Sequence, residues 1–294
     1  MKLEKIQIVY KKVWPFTIPS GIVMTDPLCA ARILDKDKAK VIGIWTSKST
    51  GLKERVMPTE ELYADNPLGL EFGCREPIFV QLGDGTYANA VKLINEGASK
   101  TREKIERASI PQDRAVIASI FATNTNDLVK IVETLEPVVD AFKWNGGCPH
   151  GEKVGMLQGL VPKTVYEFIR AGTYVTKKPF IFKTPANVIQ DCVRAAVDAG
   201  AYGAAGINTV PVEPLDDEGI HLLWNKKGGK SGREIRELGL IKAREMRKAG
   251  GNILLMLMGG ISTAKDIEAY AEAGEGGPLV YGIGTATIGM NENE

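Results

Sequence analysis

The four cysteines of this 294-residue chain, Cys29, Cys74, Cys148 and Cys192, are scattered, and no two of them form a C-x-x-C pair. Zinc and iron–sulfur sites need closely spaced thiolates, so neither is expected. A charge excess of one sign is missing too. With 37 basic and 36 acidic residues the formal net charge is +1, which gives no electrostatic case for nucleic acid or an anionic membrane as partner. No apolar run is long enough to cross a bilayer. The opening stretch, MKLEKIQIVYKKVW, alternates charged and apolar side chains and lacks the apolar core of a signal peptide. No linker-like composition divides the chain. These absences leave one folded domain over residues 1–294, expected in the cytoplasm with reduced thiols.

What the chain does have is alternation. After an N-terminal β-ribbon over about residues 3–18 come IPSGIVM (18–24), VIGIWTSKS (41–49), AVIASIFAT (115–123) and VVDAFKWNGG (138–147). PFIFKT (179–184), AYGAAGINTV (201–210), NILLMLMGG (252–260) and PLVYGIGTA (278–286) follow. Each is short, β-branched or bounded by glycine, and reads as a strand. Between them lie helical patterns at 126–137, 162–173, 187–200, 231–251 and 262–277, several opened by Asp, Asn, Ser or Thr and closed by Gly. Eight strand–helix units predict a parallel sheet closed into a (β/α)₈ (TIM) barrel. The competing architecture is a doubly wound open sheet. The insertion after strand two, about residues 50–112, is too long for a simple connection and is expected to cover part of the mouth.

Polar residues gather at the C-terminal ends of these runs, the end where barrels carry their chemistry. The last two units read MGGISTAKD and YGIGTATIG, so Gly259, Gly260, Gly284 and Thr285 are candidate phosphate ligands. Backbone without a Cβ approaches a phosphate closely, and a helix N-terminus adds positive charge. Tight turns would explain either glycine pair alone. Lys183, in FIFKTP, ends a central strand, where an amine needs an anionic partner or serves as a Schiff-base nucleophile. Lys48, in TSKST, adds a second cation. Asn145 in WNGGCPHG, and Asn208 with Thr209 in GINTV, offer amide donors and acceptors suited to an amide-rich ring. Cys148 sits on a polar, glycine-rich loop and is a candidate general base. The glycine-spaced GEKVGMLQG (151–159) beside it is a candidate lid.

Taken in order, these motifs resemble the FMN-dependent dihydroorotate dehydrogenases of the soluble class. WNGGCP resembles their Asn-x-x-Cys-Pro signature, PFIFKTP the strand with the flavin lysine, and GINT the segment with a substrate asparagine. GGKSG (228–232), MGGISTA (258–264) and GIGTA (282–286) resemble three FMN-contacting segments, and PSG (19–21) and TSKST (46–50) two weaker early motifs. The similarity spans about residues 3–288. It implies a (β/α)₈ barrel that oxidises dihydroorotate to orotate in pyrimidine biosynthesis and passes electrons from FMN to a separate acceptor. It further implies Cys148 and Lys183 as catalytic residues, and Lys48, Asn145, Asn208 and Thr209 at the substrate. Ser20, Lys48, Ser49, Asn145, Lys183, Ile207, Gly232, Gly259, Gly260, Gly284 and Thr285 would contact FMN.

Three departures fall on the substrate side or beside the flavin. His150 replaces the asparagine of Cys-Pro-Asn, PIFVQLGDG (77–85) lacks the family's leading substrate asparagine, and Ser119 stands where an asparagine is common. An FMN oxidoreductase acting on another cyclic substrate therefore stays open, as do a Schiff-base barrel using Lys183 and a non-catalytic phosphate-binding barrel. The nine residues after Thr285 are too few for an eighth barrel helix. A homo-oligomer, or a complex with another subunit, is expected to cover that flank.

Overall fold

In the computed structural model, residues 4–20, 26–56, 78–147 and 158–288 are described. The chain opens with an antiparallel hairpin, β1 (Ile6–Ile8) and β2 (Lys11–Val13). Eight parallel strands then close a barrel in sequence order: β3 (Phe16–Ile18), β4 (Ile42–Thr46), β7 (Ala115–Ile120), β8 (Ala141–Asn145), β9 (Phe180–Lys183), β10 (Gly203–Gly206), β13 (Leu254–Met258) and β14 (Leu279–Gly282). Seven α-helices fill the connections among the described residues. They are α1 (Pro27–Leu34), α2 (Ala98–Arg107), α3 (Thr125–Leu135), α4 (Pro162–Val175), α5 (Gln190–Asp198), α6 (Arg236–Gly250) and α7 (Ala264–Ala273). The (β/α)₈ expectation therefore holds.

Period-two alternation explains both layers of the core. Along β8, Phe142 and Trp144 face the helices, where Trp144 stacks on Phe168 of α4 at 4.8 Å and on Phe182 of β9 at 5.5 Å. Ala141 faces the axis with Ile44, Ile117, Ile181, Ala205, Met256 and Val280. The hairpin supplies Ile8 and Val13 to this inner cluster, both buried, so it plugs the N-terminal end of the barrel. Lys11 fastens the plug. Its amine donates to the Arg114 carbonyl and to the Asp140 carboxylate, both at 2.8 Å.

The first barrel strand differs from the sequence reading. It occupies Phe16–Ile18, where the expected run begins only at Ile18; residues 21–24 of that run lie outside the described residues. Proline has no N–H for a ladder, and Pro19 ends the pairing after one aromatic and two β-branched residues. Helices α1 and α2 are additional to the five expected from the sequence.

The connections after β4 and β10 do more than return the chain. From the first come β5 (Phe79–Gly83) and β6 (Thr86–Asn89); from the second come β11 (Val210–Val212) and β12 (Gly228–Gly232). They pair as one antiparallel sheet in the order β11-β12-β6-β5, with Gly229 opposite Asn89 and Gly232 opposite Thr86. This sheet roofs the C-terminal mouth, as the long insertion predicted, but half of it comes from the later excursion.

Asn95 ties the later part of the insertion to its start. Its buried side-chain oxygen accepts from the N–H groups of Gly51 (3.0 Å) and Gly97 (2.9 Å), and its amide donates to the Leu93 carbonyl. Asn95→Ala orphans two buried donors and is expected to cost about 2 kcal/mol or more. Urea unfolding measures this directly; a change below ~0.5 kcal/mol would show that the clamp does not hold the insertion.

Candidate active site

The C-terminal strand ends and the roof enclose a cavity of about 410 Å³. Ser20 enters from the end of β3, Lys48 and Ser49 from β4, Asn145 from β8, and Lys183 from β9. Ile207, Asn208 and Thr209 follow β10, Gly259 and Gly260 follow β13, and Gly284 and Thr285 follow β14. Gly232, on β12, lines the same space. These thirteen positions, singled out from the sequence, meet in one cavity. Cys148, His150 and residues 151–157 lie outside the described residues. The chain leaves and re-enters at one point nonetheless, since the Gly159 N–H donates to the Gly146 carbonyl at 2.7 Å.

On the floor, a chain of side-chain hydrogen bonds links the ends of four strands, β7, β4, β8 and β10. Ser119 and Ser49 share a bond of 2.9 Å between hydroxyls, the Asn145 amide donates to Ser49 (3.2 Å), and the Asn208 amide donates to the Asn145 oxygen (3.1 Å). Asn208 also donates to the Gly147 carbonyl, fixing the residue from which Cys148 continues. The two amides are thus oriented by each other before any ligand arrives. Ser119 sits under the cavity and serves Ser49.

Lys183 is 5% exposed at this floor. Directly beneath lies a lysine that the sequence reading passed over. Lys143 is completely buried, and its amine has no hydrogen-bond partner among the described residues. Burial, and then the positive charge of Lys183, lower its pKa well below the ordinary lysine value. Its signal in the sequence was parity. Lys143 stands two residues before Asn145 in one strand, so both face the axis.

The opposite end is built from turns. Gly232 and Gly260 have φ of 98° and 77°, a region that favours glycine. A Cβ on Gly260 would lie 2.7 Å from the Gly232 carbonyl oxygen, so the two turns pack backbone to backbone. Behind them, the Tyr270 hydroxyl donates to the Gly259 carbonyl at 2.6 Å and so occupies that acceptor. The sequence reading also assigned positive charge to the start of α7. There Asp266 already accepts from the N–H groups of Ser262 (3.0 Å) and Thr263 (2.8 Å) and from Arg236 Nε (2.6 Å). A carboxylate placed there offsets the helix dipole, so an anion in the cavity depends on the glycine turns and nearby cations.

The roof contributes residues that no strand-end argument finds. Phe79 and Tyr87 stack at 5.0 Å with planes 17° apart, and both line the cavity with Gln81 and Asn89. Among the described residues no group of three or more His, Cys, Asp or Glu is placed to hold a metal, and no helix is long and apolar enough to cross a membrane. The arrangement suits a long ligand with an anionic group at the glycine turns and a polar ring over Lys183 and the paired amides.

Comparison with known proteins points the same way. A family profile described as dihydroorotate dehydrogenase matches residues 68–291. The dihydroorotate dehydrogenase B (NAD(+)) catalytic subunit of Pyrococcus horikoshii is 36% identical over 265 residues, covering 88% of this chain and 79% of that protein. Its counterpart from Pyrococcus abyssi is 31% identical over 263 residues, covering 88% and 80%. That from Methanocaldococcus jannaschii is 29% identical over 266 residues, covering 88% and 80%.

The Asp266 brace generates a pH prediction. Burial alone would raise its pKa, but the bonds from Ser262, Arg236 and Thr263 outweigh it and bring it down from 3.8 to about 2. Because the folded value is the lower one, the stabilisation is complete above about pH 5 and is lost as the pH falls toward 2. The stability gap between wild type and Asp266→Asn should therefore shrink by on the order of 2 kcal/mol across that window. A gap independent of pH would remove Asp266 from this role.

Proposed function

The chain belongs to the dihydroorotate dehydrogenase family, and on that premise we propose that it binds FMN in the mouth cavity and oxidises (S)-dihydroorotate to orotate. The observation that carries the reading is the convergence of seven strand ends and the roof on one cavity with an amine and paired amides at one end and glycine turns at the other.

The residues present fit a flavin mononucleotide. Ser20 Oγ is buried and has no hydrogen-bond partner among the described residues, leaving a donor and an acceptor for a ligand. The turns at Gly259–Gly260 and Gly284–Thr285 suit the phosphate, with Gly232 packed against them. Lys183 suits the pyrimidine edge of the flavin, where a positive charge stabilises the negative charge gained on reduction. Ile207 and Ser49 complete the flanks of the ring.

When bound, FMN supplies the acceptor for the hydride from substrate C6. Cys148 Sγ takes the proton from C5, on the strength of the Asn145-Gly-Gly-Cys148-Pro match. Lys48 pairs with the substrate carboxylate, while Asn145, Asn208 and Thr209 hold its ring amides. Pre-orientation of the two asparagines lowers the entropy lost on binding. Electrons then leave to a separate acceptor. The relatives' names describe the catalytic subunit of an NAD(+) enzyme, and we extend that assembly, with a second subunit, to this chain.

A second reading, the same flavin chemistry on another cyclic substrate, draws on His150 and the altered 77–85 segment, which departs from the family on the side where the ring is read. Anaerobic mixing with dihydroorotate separates the two. Bleaching of bound flavin supports the first; yellow enzyme that stays oxidised overturns it. A colourless protein that takes up no FMN would sink both.

Two variants test the roles. Lys183→Met is expected to slow flavin reduction about 10²–10³-fold, the effect of removing one preorganised charge-stabilising donor. Cys148→Ser should slow it about 10²–10⁴-fold, the usual contribution of a positioned base, while FMN affinity stays unchanged. Reduction at the wild-type rate in either variant removes that residue from the mechanism.

A further inference from the structure

We propose that Lys143 is the proton reservoir of the flavin site: its Nζ takes up one proton when the bound flavin gains two electrons and returns it on reoxidation. The inference rests on the FMN reading above.

The case begins with where the side chain lies. On β8, Phe142 and Trp144 belong to the outer core and Ala141 to the inner one, so Lys143 points to the barrel axis. Its cross-strand neighbours are Ser119 on β7 and Ile181 on β9; one step nearer the mouth, Asn145 stands opposite Lys183. The side chain is completely buried and the amine makes no hydrogen bond to a described residue. A structural lysine would reach a carboxylate, and among the described residues this one reaches none.

The second part of the case is charge. Among the described residues the buried charged side chains are Arg114, Lys143, Lys183 and Asp266. Arg114 pairs with Asp113, and Asp266 serves the α7 turn with Arg236. The barrel interior thus holds two amines and no buried carboxylate among the described residues, with Lys183 the titratable group acting on Lys143. The other inward positions around it are apolar or hydroxyl-bearing. An ammonium without a counter-charge in such a place is strongly disfavoured, so the balance leans toward the neutral amine.

An anion at the mouth reverses that balance. Two electrons and one proton added to FMN leave it one negative charge richer than before. In a water-poor interior this charge acts over a longer range than it would in solvent. It compensates Lys183 and favours the charged form of Lys143. The balance is complete: Lys143–NH₂ becomes Lys143–NH₃⁺, the proton comes from solvent, and the electrons come from dihydroorotate or a chemical reductant. Lys143 touches no reacting atom, so it is a positioning residue that sets the charge under the flavin.

The test is the pH dependence of the midpoint potential of the FMN holoenzyme across the neutral range, for wild type and Lys143→Met. Wild type should take up two protons per two electrons and the variant one. The wild-type slope should then be steeper by about 30 mV per pH unit, the tenfold value for a two-electron couple. Equal slopes overturn the proposal. Replacing an unpartnered amine with an apolar side chain leaves no orphan behind, so the variant is expected to fold. A second measurement needs no variant: reductive titration of weakly buffered wild-type holoenzyme with a pH indicator, where an uptake of one proton per two electrons also overturns it. Failure to bind FMN at all would refute the flavin reading itself, whereas flavin bound with unchanged slopes refutes Lys143 alone.

Discussion

Everything in this molecule follows from closing a parallel sheet on itself. The axis of an eight-stranded barrel has no room for bulk water, so every second residue of every strand needs a packing or hydrogen-bonding partner inside. Low in the barrel the requirement is met by aliphatic side chains and by the hairpin that plugs the end with Ile8 and Val13. Nearer the mouth the inward positions turn polar, and their needs are met by one another. Ser119, Ser49, Asn145 and Asn208 satisfy each other in sequence.

The same constraint separates structural from functional polarity. Asp266 is buried but fully occupied, with Arg236 and two backbone N–H groups on its oxygens, and its work is to shape the turn ahead of α7. Tyr270 does related work on the Gly259 carbonyl. Ser20 Oγ and the amine of Lys143 are buried with no hydrogen-bond partner among the described residues. Arg114 Nε, Trp144 Nε1, Asn225 Oδ1 and Arg247 Nη2 share that condition, so unsatisfied burial alone marks no site; of the six, Ser20 lines the cavity, where a ligand can complete it.

The barrel was legible because alternation of short β-rich runs with periodic helices is a pattern of many residues, which single exceptions do not disturb. The strand ends were legible for the same reason: Lys183, Asn145 and Asn208 each follow an apolar run, and the topology carries all such ends to one mouth. What escaped was set by tertiary contact. The first strand is the exception, a local effect: Pro19 ends the pairing after Ile18. The roof was half hidden, because β12 carries GGKSG, with three glycines and little β propensity, and is held as a strand by pairing with β6. Lys143 was passed over because a lysine inside an apolar run reads as an exception until strand parity and the neighbouring Lys183 are considered together. Asp266 was hidden by its own motif, since a capping aspartate and an anion site look alike in sequence.

The roof has a consequence for how the chain is made. Its central pair joins segments so distant that the amide of Asn89 donates to the carbonyl of Gly229, 140 residues further on. Until that later segment has left the ribosome, the β5–β6 hairpin carries an open edge, the kind of strand that attracts unwanted partners. Pairing over such a separation is also slow to form. Neighbouring strands of the wall can pair as they emerge, but the wall itself closes only when β14 meets β3, with Tyr281 beside Phe16, so the chamber depends on two long-range closures, the roof and then the wall.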